Sequence, residues 1–362
     1  MGTSKKRFFL QWSVIITGIA AGIIGPLLQY FGNPKNMGFC IACMERDIAG
    51  ALGLHRAAQV QYLRPEIPGI VLGALVASLL LREFRARTGS APIIRFVLGF
   101  FTMIGALVFL GCPWRALLRL AGGDLTAVAA LAGLAVGVYV GVYFLKFGYD
   151  LGRSYRANQL VGWAFPAITI CLVILCFVPV KFADGGPIFA STEGPGAAHA
   201  PVVGSIVGGL VVGILAQRSR FCTIGSFRDL YLMRDTHLLR GVIAFVLAAV
   251  GMNLLLHQFN LGVTGQPIAH AVHIWNFMGL LLVGLASTLG GGCPARQLVL
   301  AGEGDGDAAV FVLGMLAGAA FSHNFTFAST STGVSTLGPV AVIAGVLICL
   351  VIGLVMREEG VK

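Results

Sequence analysis

The chain has 362 residues, a net charge of +10 and a mean hydropathy of +0.88, with 57% hydrophobic and only 11% charged residues. A soluble domain carries about 25% charged residues, so the composition excludes a soluble enzyme and indicates an all-α polytopic membrane protein. The positive charge does not imply a nucleic-acid partner, because the Lys and Arg residues lie in short loops between apolar stretches, as membrane topology signals do.

Taken in chain order, Lys5-Lys6-Arg7 precedes an apolar run from Phe8 to about Leu28. The run resembles a signal sequence but lacks a small-residue cleavage site and exceeds a typical signal core, so it reads as the first transmembrane helix. Full-length spans are predicted at 10–29, 67–81, 93–111, 125–145 and 161–180, then at 201–216, 239–257, 274–290, 308–326 and 337–356. Four shorter apolar segments, 38–54, 112–121, 221–233 and 293–301, are bounded by Gly, Pro or charge and read as re-entrant half-helices. Residues 181–200, rich in Gly and Pro, read as a linker between a first membrane repeat (1–180) and a second (201–362). Glycines recur four residues apart at Gly133-Gly137-Gly141, Gly204-Gly208, Gly209-Gly213 and Gly314-Gly318. That spacing lets helix backbones approach closely in lipid, where apolar burial no longer drives association.

Two motifs occur twice. Gly111-Cys112-Pro113-Trp114-Arg115 returns as Gly292-Cys293-Pro294-Ala295-Arg296, with the cysteines 181 residues apart. Phe39-Cys40, followed by Arg46-Asp47, returns as Phe221-Cys222, followed by Arg228-Asp229, with the cysteines 182 residues apart. His55 and His237 share that offset. The chain is therefore internally repeated, and five spans per repeat force the second repeat to enter the membrane from the opposite face. Such inverted repeats place a substrate path at the midplane between broken helices. With the N-terminus inside, 18 Lys and Arg fall on one side and 7 on the other, which predicts cytoplasmic termini and a periplasmic linker. Cys40 and Cys112 then enter from outside, Cys222 and Cys293 from the cytoplasm.

Pro113 and Pro294 suit the first residue of a helix, which makes Cys112 and Cys293 N-caps. Unpaired N–H groups and the helix dipole at that point attract anions and activate a thiol, and Arg115 and Arg296 reinforce both effects. The plainer reading, a tight helix start with a small buried residue, is outweighed by the duplication of both Cys and Arg. Gly111 and Gly292 serve the turn. Arg46-Asp47 and Arg228-Asp229 are expected to neutralise one another at membrane depth. Cys43 makes Cys40-Ile41-Ala42-Cys43 a C-x-x-C whose second-repeat counterpart is Gly225, so it is an elaboration of one repeat. No metal site and no cofactor are expected. His270 and His273 read as solvated loop residues, and Cys171, Cys176 and Cys349 as packing residues. Asn33, Asn36, Trp114 and Asn324 are further candidates to line the path.

The segments Gly32-Asn33-Pro34, Gly38 to Gly50 and Gly111 to Arg115 resemble the YeeE/YedE membrane family, most closely its YedE-type selenium transporters, over essentially the whole chain. The resemblance implies an inner-membrane importer of sulfur-containing ions, thiosulfate in the YeeE branch, with cysteines contacting the substrate along an hourglass-shaped path. Carried onto this chain, that role falls on Cys40, Cys112, Cys222 and Cys293. The extra Cys43 and the charged run Cys43-Met44-Glu45-Arg46-Asp47 depart from the thiosulfate-type pattern. The expectation is a transporter of a small sulfur- or selenium-bearing anion, with a cytoplasmic acceptor protein as a candidate partner. The alternative is a membrane thiol–disulfide oxidoreductase using Cys40 and Cys43.

Overall fold

A computed structural model describes residues 2–178 and 188–357, with side chains from Trp12 onward. The side chains of Lys5, Lys6 and Arg7, with residues 181–187 of the linker and Lys362, lie outside the described residues. The first half runs α1 (Gly2–Tyr30), α2 (Ile41–Ala51), α3 (Glu66–Leu80), α4 (Pro92–Phe109), α5 (Pro113–Ala121), α6 (Thr126–Lys146) and α7 (Gln159–Phe177). The second runs α8 (Val202–Ser219), α9 (Thr223–Met233), α10 (His237–Leu255), α11 (His273–Leu289), α12 (Pro294–Gly302), α13 (Gly306–Asn324) and α14 (Gly338–Val355). Each half thus repeats one order of long and short helices, with the short ones second and fifth. A two-stranded antiparallel ladder, β1 (Arg87–Thr88) with β2 (Tyr155–Arg156), is the one sheet among the described residues.

Among the described residues, nine segments are long and apolar enough to cross a membrane, three of them merging a long helix with the short one that follows it. This is an all-α, multi-pass membrane protein. The span predicted at 67–81 is α3, which has 15 residues and falls short of the other long helices. At about 1.5 Å per residue it covers about 22 Å against a hydrocarbon core of about 30 Å. Its polar first residue, Glu66, belongs to a hydrogen-bonded cluster, and Arg82 just beyond its end is left-handed (φ 57°), so neither end extends.

Direction of travel differs between the halves. α1 ends beside the linker, where Gly32 lies against the His199 carbonyl, whereas α8 begins at the linker and runs away from it. The two halves are therefore inverted, and they pack reciprocally. α1 lies on α10 as α8 lies on α3, and α6 lies on α11 as α13 lies on α4. Missing Cβ atoms make these contacts. Gly133 and Gly137 of α6 face the Phe277 and Leu281 carbonyls of α11, as Gly314 and Gly318 of α13 face those of Phe96 and Phe100 on α4. A side chain at any of the four would strike backbone, so at these positions the spacing read from sequence is a close-packing device, whereas a Cβ at Gly204 would meet nothing within 4 Å and the expectation fails there.

Short helices stop where they must. Gly123 after α5 and Gly304 after α12 both adopt φ 94°, a conformation that favours glycine.

Candidate functional site

Every one of the four duplicated cysteines is the N-cap of a short helix: Cys40 of α2, Cys112 of α5, Cys222 of α9 and Cys293 of α12. Cys40 Sγ accepts the Cys43 N–H at 3.3 Å, and Cys222 Sγ accepts the Gly225 N–H at 3.2 Å, so sulfur does what an oxygen does in an ordinary cap. Cys112 and Cys293 make no such cap bond. Each instead meets the thiol of the other short helix in its own half. Cys40 and Cys112 are within side-chain hydrogen-bonding reach, as are Cys222 and Cys293. The Cys293 N–H also donates to Cys222 Sγ at 3.4 Å. Each half thus brings two helix N-termini and their thiols together.

The pair nearer the linker is sealed. Cys40, Cys43 and Cys112 are all buried, and Arg115, itself fully buried, donates to Cys43 Sγ at 3.4 Å. Its other partners are the carbonyl oxygens of Asn36, Leu110 and Ile268; no carboxylate contacts it among the described residues. Asp47 is held by Arg46 at 2.6 Å and by Arg64 at 2.7 Å. Arg64 in turn donates to the carbonyls of Pro195 and Ala198, which fixes the linker over this end of the path. Asn33 bonds Glu66 at 2.7 Å and accepts the Ala200 N–H at 2.9 Å, and His199 stacks on Tyr62. Sequence reasoning passed over Arg64 and Glu66, since nothing local marks them.

The other pair opens to solvent through a cavity of about 360 Å³ lined by Cys222, Arg220, Arg228, Asp229, His237 and Arg296 among others. Arg228 pairs with Asp229 at 2.9 Å, part-exposed and without a second guanidinium among the described residues. Arg296 pairs with Glu303 at 3.2 Å, so unlike Arg115 it has a counter-charge. Burial pushes the Glu303 carboxyl above the usual range against the opposing pull of Arg296.

Three expectations are corrected. His270 is not solvated: it is 3% exposed and its Nε2 lies 2.8 Å from the Val108 carbonyl, with burial lowering its affinity for a proton. Cys171 does not pack inside but is exposed on α7, whereas Cys349 is buried. Asn324 is exposed and donates to the Leu54 carbonyl, away from the thiols. Among the described residues no group of three or more His, Cys, Asp or Glu is placed to hold a metal ion.

The family model for sulphur transport matches residues 1–112 and 218–357, which takes in α1 to α4 and α9 to α14. A stretch of 104 residues is 28% identical to the thiosulfate transporter TsuA of Escherichia coli (strain K12), covering 28% of this chain and 29% of that protein. That relative is therefore matched over less than a third of its length.

Proposed function

Because this chain belongs to the sulphur-transport family and is a multi-pass transporter rather than an enzyme, we propose that it imports a small anion such as thiosulfate, or its selenium-bearing analogue, through the two thiol pairs. The family assignment displaces the thiol–disulfide oxidoreductase reading of Cys40 and Cys43. Residues 1–180 and 201–362 act as the two repeats on either side of the 181–200 linker.

One observation carries the reading: a buried guanidinium, Arg115, without a carboxylate partner stands beside the thiol cluster of Cys40, Cys43 and Cys112. Isolated charge in a membrane interior is expensive, so an uncompensated cation at that depth favours an anion. The N-termini of α2 and α5 add unpaired N–H groups and a positive dipole end. The thiols supply what distinguishes a sulfur anion from sulfate: a polarizable S–H partner for its terminal sulfur or selenium. Cys222 and Cys293 form the receiving station. There Arg296 is paired with Glu303 and holds the anion less firmly than Arg115 does, so the anion passes into the open cavity, where water takes over its hydrogen bonds.

On this reading the protein lies in the inner membrane, with the linker in the periplasm, and the chain ends and the 360 Å³ cavity in the cytoplasm. A cytoplasmic acceptor protein takes the cargo at the mouth of this cavity and so keeps uptake downhill. The test is uptake of radiolabelled thiosulfate, sulfite and selenite by cells lacking their own importers. Accumulation of at least one above empty-vector cells supports the reading, and accumulation of none overturns it.

A further inference from the structure

A block of rings links residues next to the two thiol pairs. Trp114 packs edge-on against Phe39 at 6.3 Å and Phe221 at 5.7 Å, and meets Phe245 at 5.8 Å. All four rings are at most 1% exposed. Phe39 immediately precedes Cys40 and Phe221 immediately precedes Cys222, so the block joins the outer station to the inner one. The two phenylalanines are repeat-related, but Trp114 is not matched: the second Gly-Cys-Pro-x-Arg motif has Ala295 at the same place.

The indole carries a further anomaly. Its Nε1–H is buried and has no hydrogen-bond partner among the described residues. A phenyl ring would pack against three phenylalanines without leaving a donor unmet, whereas a buried unpaired N–H is penalised, more so where no water can reach it. Packing alone therefore does not account for tryptophan here. An acceptor that arrives only transiently does.

We propose that Trp114 is the barrier between the two thiol pairs and the hydrogen-bond donor that meets the anion as it passes between them. The inference rests on the transport reading above and adds a residue with a stated role. At rest the ring closes the waist against ions and water. When the anion leaves Cys112, two residues before Trp114, an oxygen of the anion accepts the indole N–H and the ring turns out of its cage. The anion then reaches Cys222, next to Phe221. The donor offsets part of the anion's desolvation as it leaves the first thiol pair.

The experiment compares Trp114→Phe with Trp114→Ala, using labelled thiosulfate and labelled sulfate as probes in cells lacking their own importers. Trp114→Phe keeps the ring and loses the donor. Its maximal rate of thiosulfate uptake is expected to fall about tenfold or more, the usual consequence of removing a hydrogen bond to a charged group that forms only in passage, at unchanged membrane abundance. Trp114→Ala opens the waist and is expected to let sulfate through. A second readout needs no transport: a variant with Trp12, Trp163 and Trp275 replaced by Phe reports Trp114 alone, and its emission is expected to shift on adding thiosulfate. A wild-type maximal rate in Trp114→Phe together with continued exclusion of sulfate by Trp114→Ala would overturn the proposal. So would a single-Trp emission that thiosulfate leaves unmoved. Failure of the wild-type protein to take up any tested anion is a separate result: it removes the transport reading, and with it the role given to Trp114.

Discussion

The Cys293 backbone N–H points at Cys222 Sγ, 3.4 Å away, so the N-terminus of one half-helix is capped by the thiol of another. Cys222 also accepts the Gly225 N–H, which places two backbone donors on one sulfur. Such a sulfur is held in place by the folds of two helices, and an incoming anion meets donors already oriented. The opposite station is built likewise from Cys40 and Cys112, with Cys43 and Arg115 added.

Accessibility follows from the unequal sealing of the two stations. With Cys171, Cys176 and Cys349 replaced by Ala, an impermeant maleimide is expected to label Cys222 from the cavity side, in inverted vesicles. Cys40, Cys43 and Cys112 should stay unlabelled from the linker side in intact cells. Equal labelling of both stations from the linker side would contradict the inverted arrangement.

Asp47 sits between two buried guanidinium groups, and removing its charge leaves both uncompensated. Asp47→Asn is expected to cost about 3–5 kcal/mol and to lower the melting temperature in detergent by many degrees. Asp229→Asn, at a part-exposed pair, should cost about 1 kcal/mol or less. Equal losses in the two variants would show that the seal contributes nothing beyond a surface pair.

Close helix contact gives a sharper contrast. Gly137→Ala drives a Cβ into the Leu281 carbonyl, whereas the Cβ of Gly204→Ala meets nothing within 4 Å. The first is expected to destabilise the protein by about 1–3 kcal/mol or more, while the second is silent in the same thermal assay.

Acidity acts at the open cavity. Because burial raises the Glu303 carboxyl, it takes up a proton at a higher pH than an exposed carboxylate and leaves Arg296 without its counter-charge. The cavity then holds an anion more firmly, so release slows as its compartment is acidified. Glu303→Gln should be slow already at neutral pH and insensitive to further acid. Superimposable pH profiles for the two proteins would rule this out.

What the sequence displayed was whatever is encoded locally. Helix lengths, the four half-helices and the inverted repeat follow from apolar run length, from Pro113 and Pro294, and from motif spacing. Contacts between distant segments were hidden. Arg64 binds carbonyls more than 130 residues away in the linker, and His270 reaches a carbonyl 162 residues away. Neither leaves a local pattern, so Arg64 went unnoticed and His270 read as solvated. Glu303 follows Arg296 by seven residues, yet their pairing depends on how one short helix turns. The caps formed by Cys40 and Cys222 were equally unmarked, because no proline follows either cysteine.

The central claim is that an anion is handed from one thiol station to the other, and the most direct test is uptake by single-cysteine replacements. Labelled thiosulfate or selenite uptake is measured in importer-deficient cells carrying Cys40→Ala, Cys112→Ala, Cys222→Ala or Cys293→Ala, with membrane abundance checked for each. The account predicts that Cys112→Ala and Cys293→Ala fall to background at wild-type abundance, and that Cys40→Ala and Cys222→Ala are strongly reduced. Wild-type uptake in both Cys112→Ala and Cys293→Ala would contradict it.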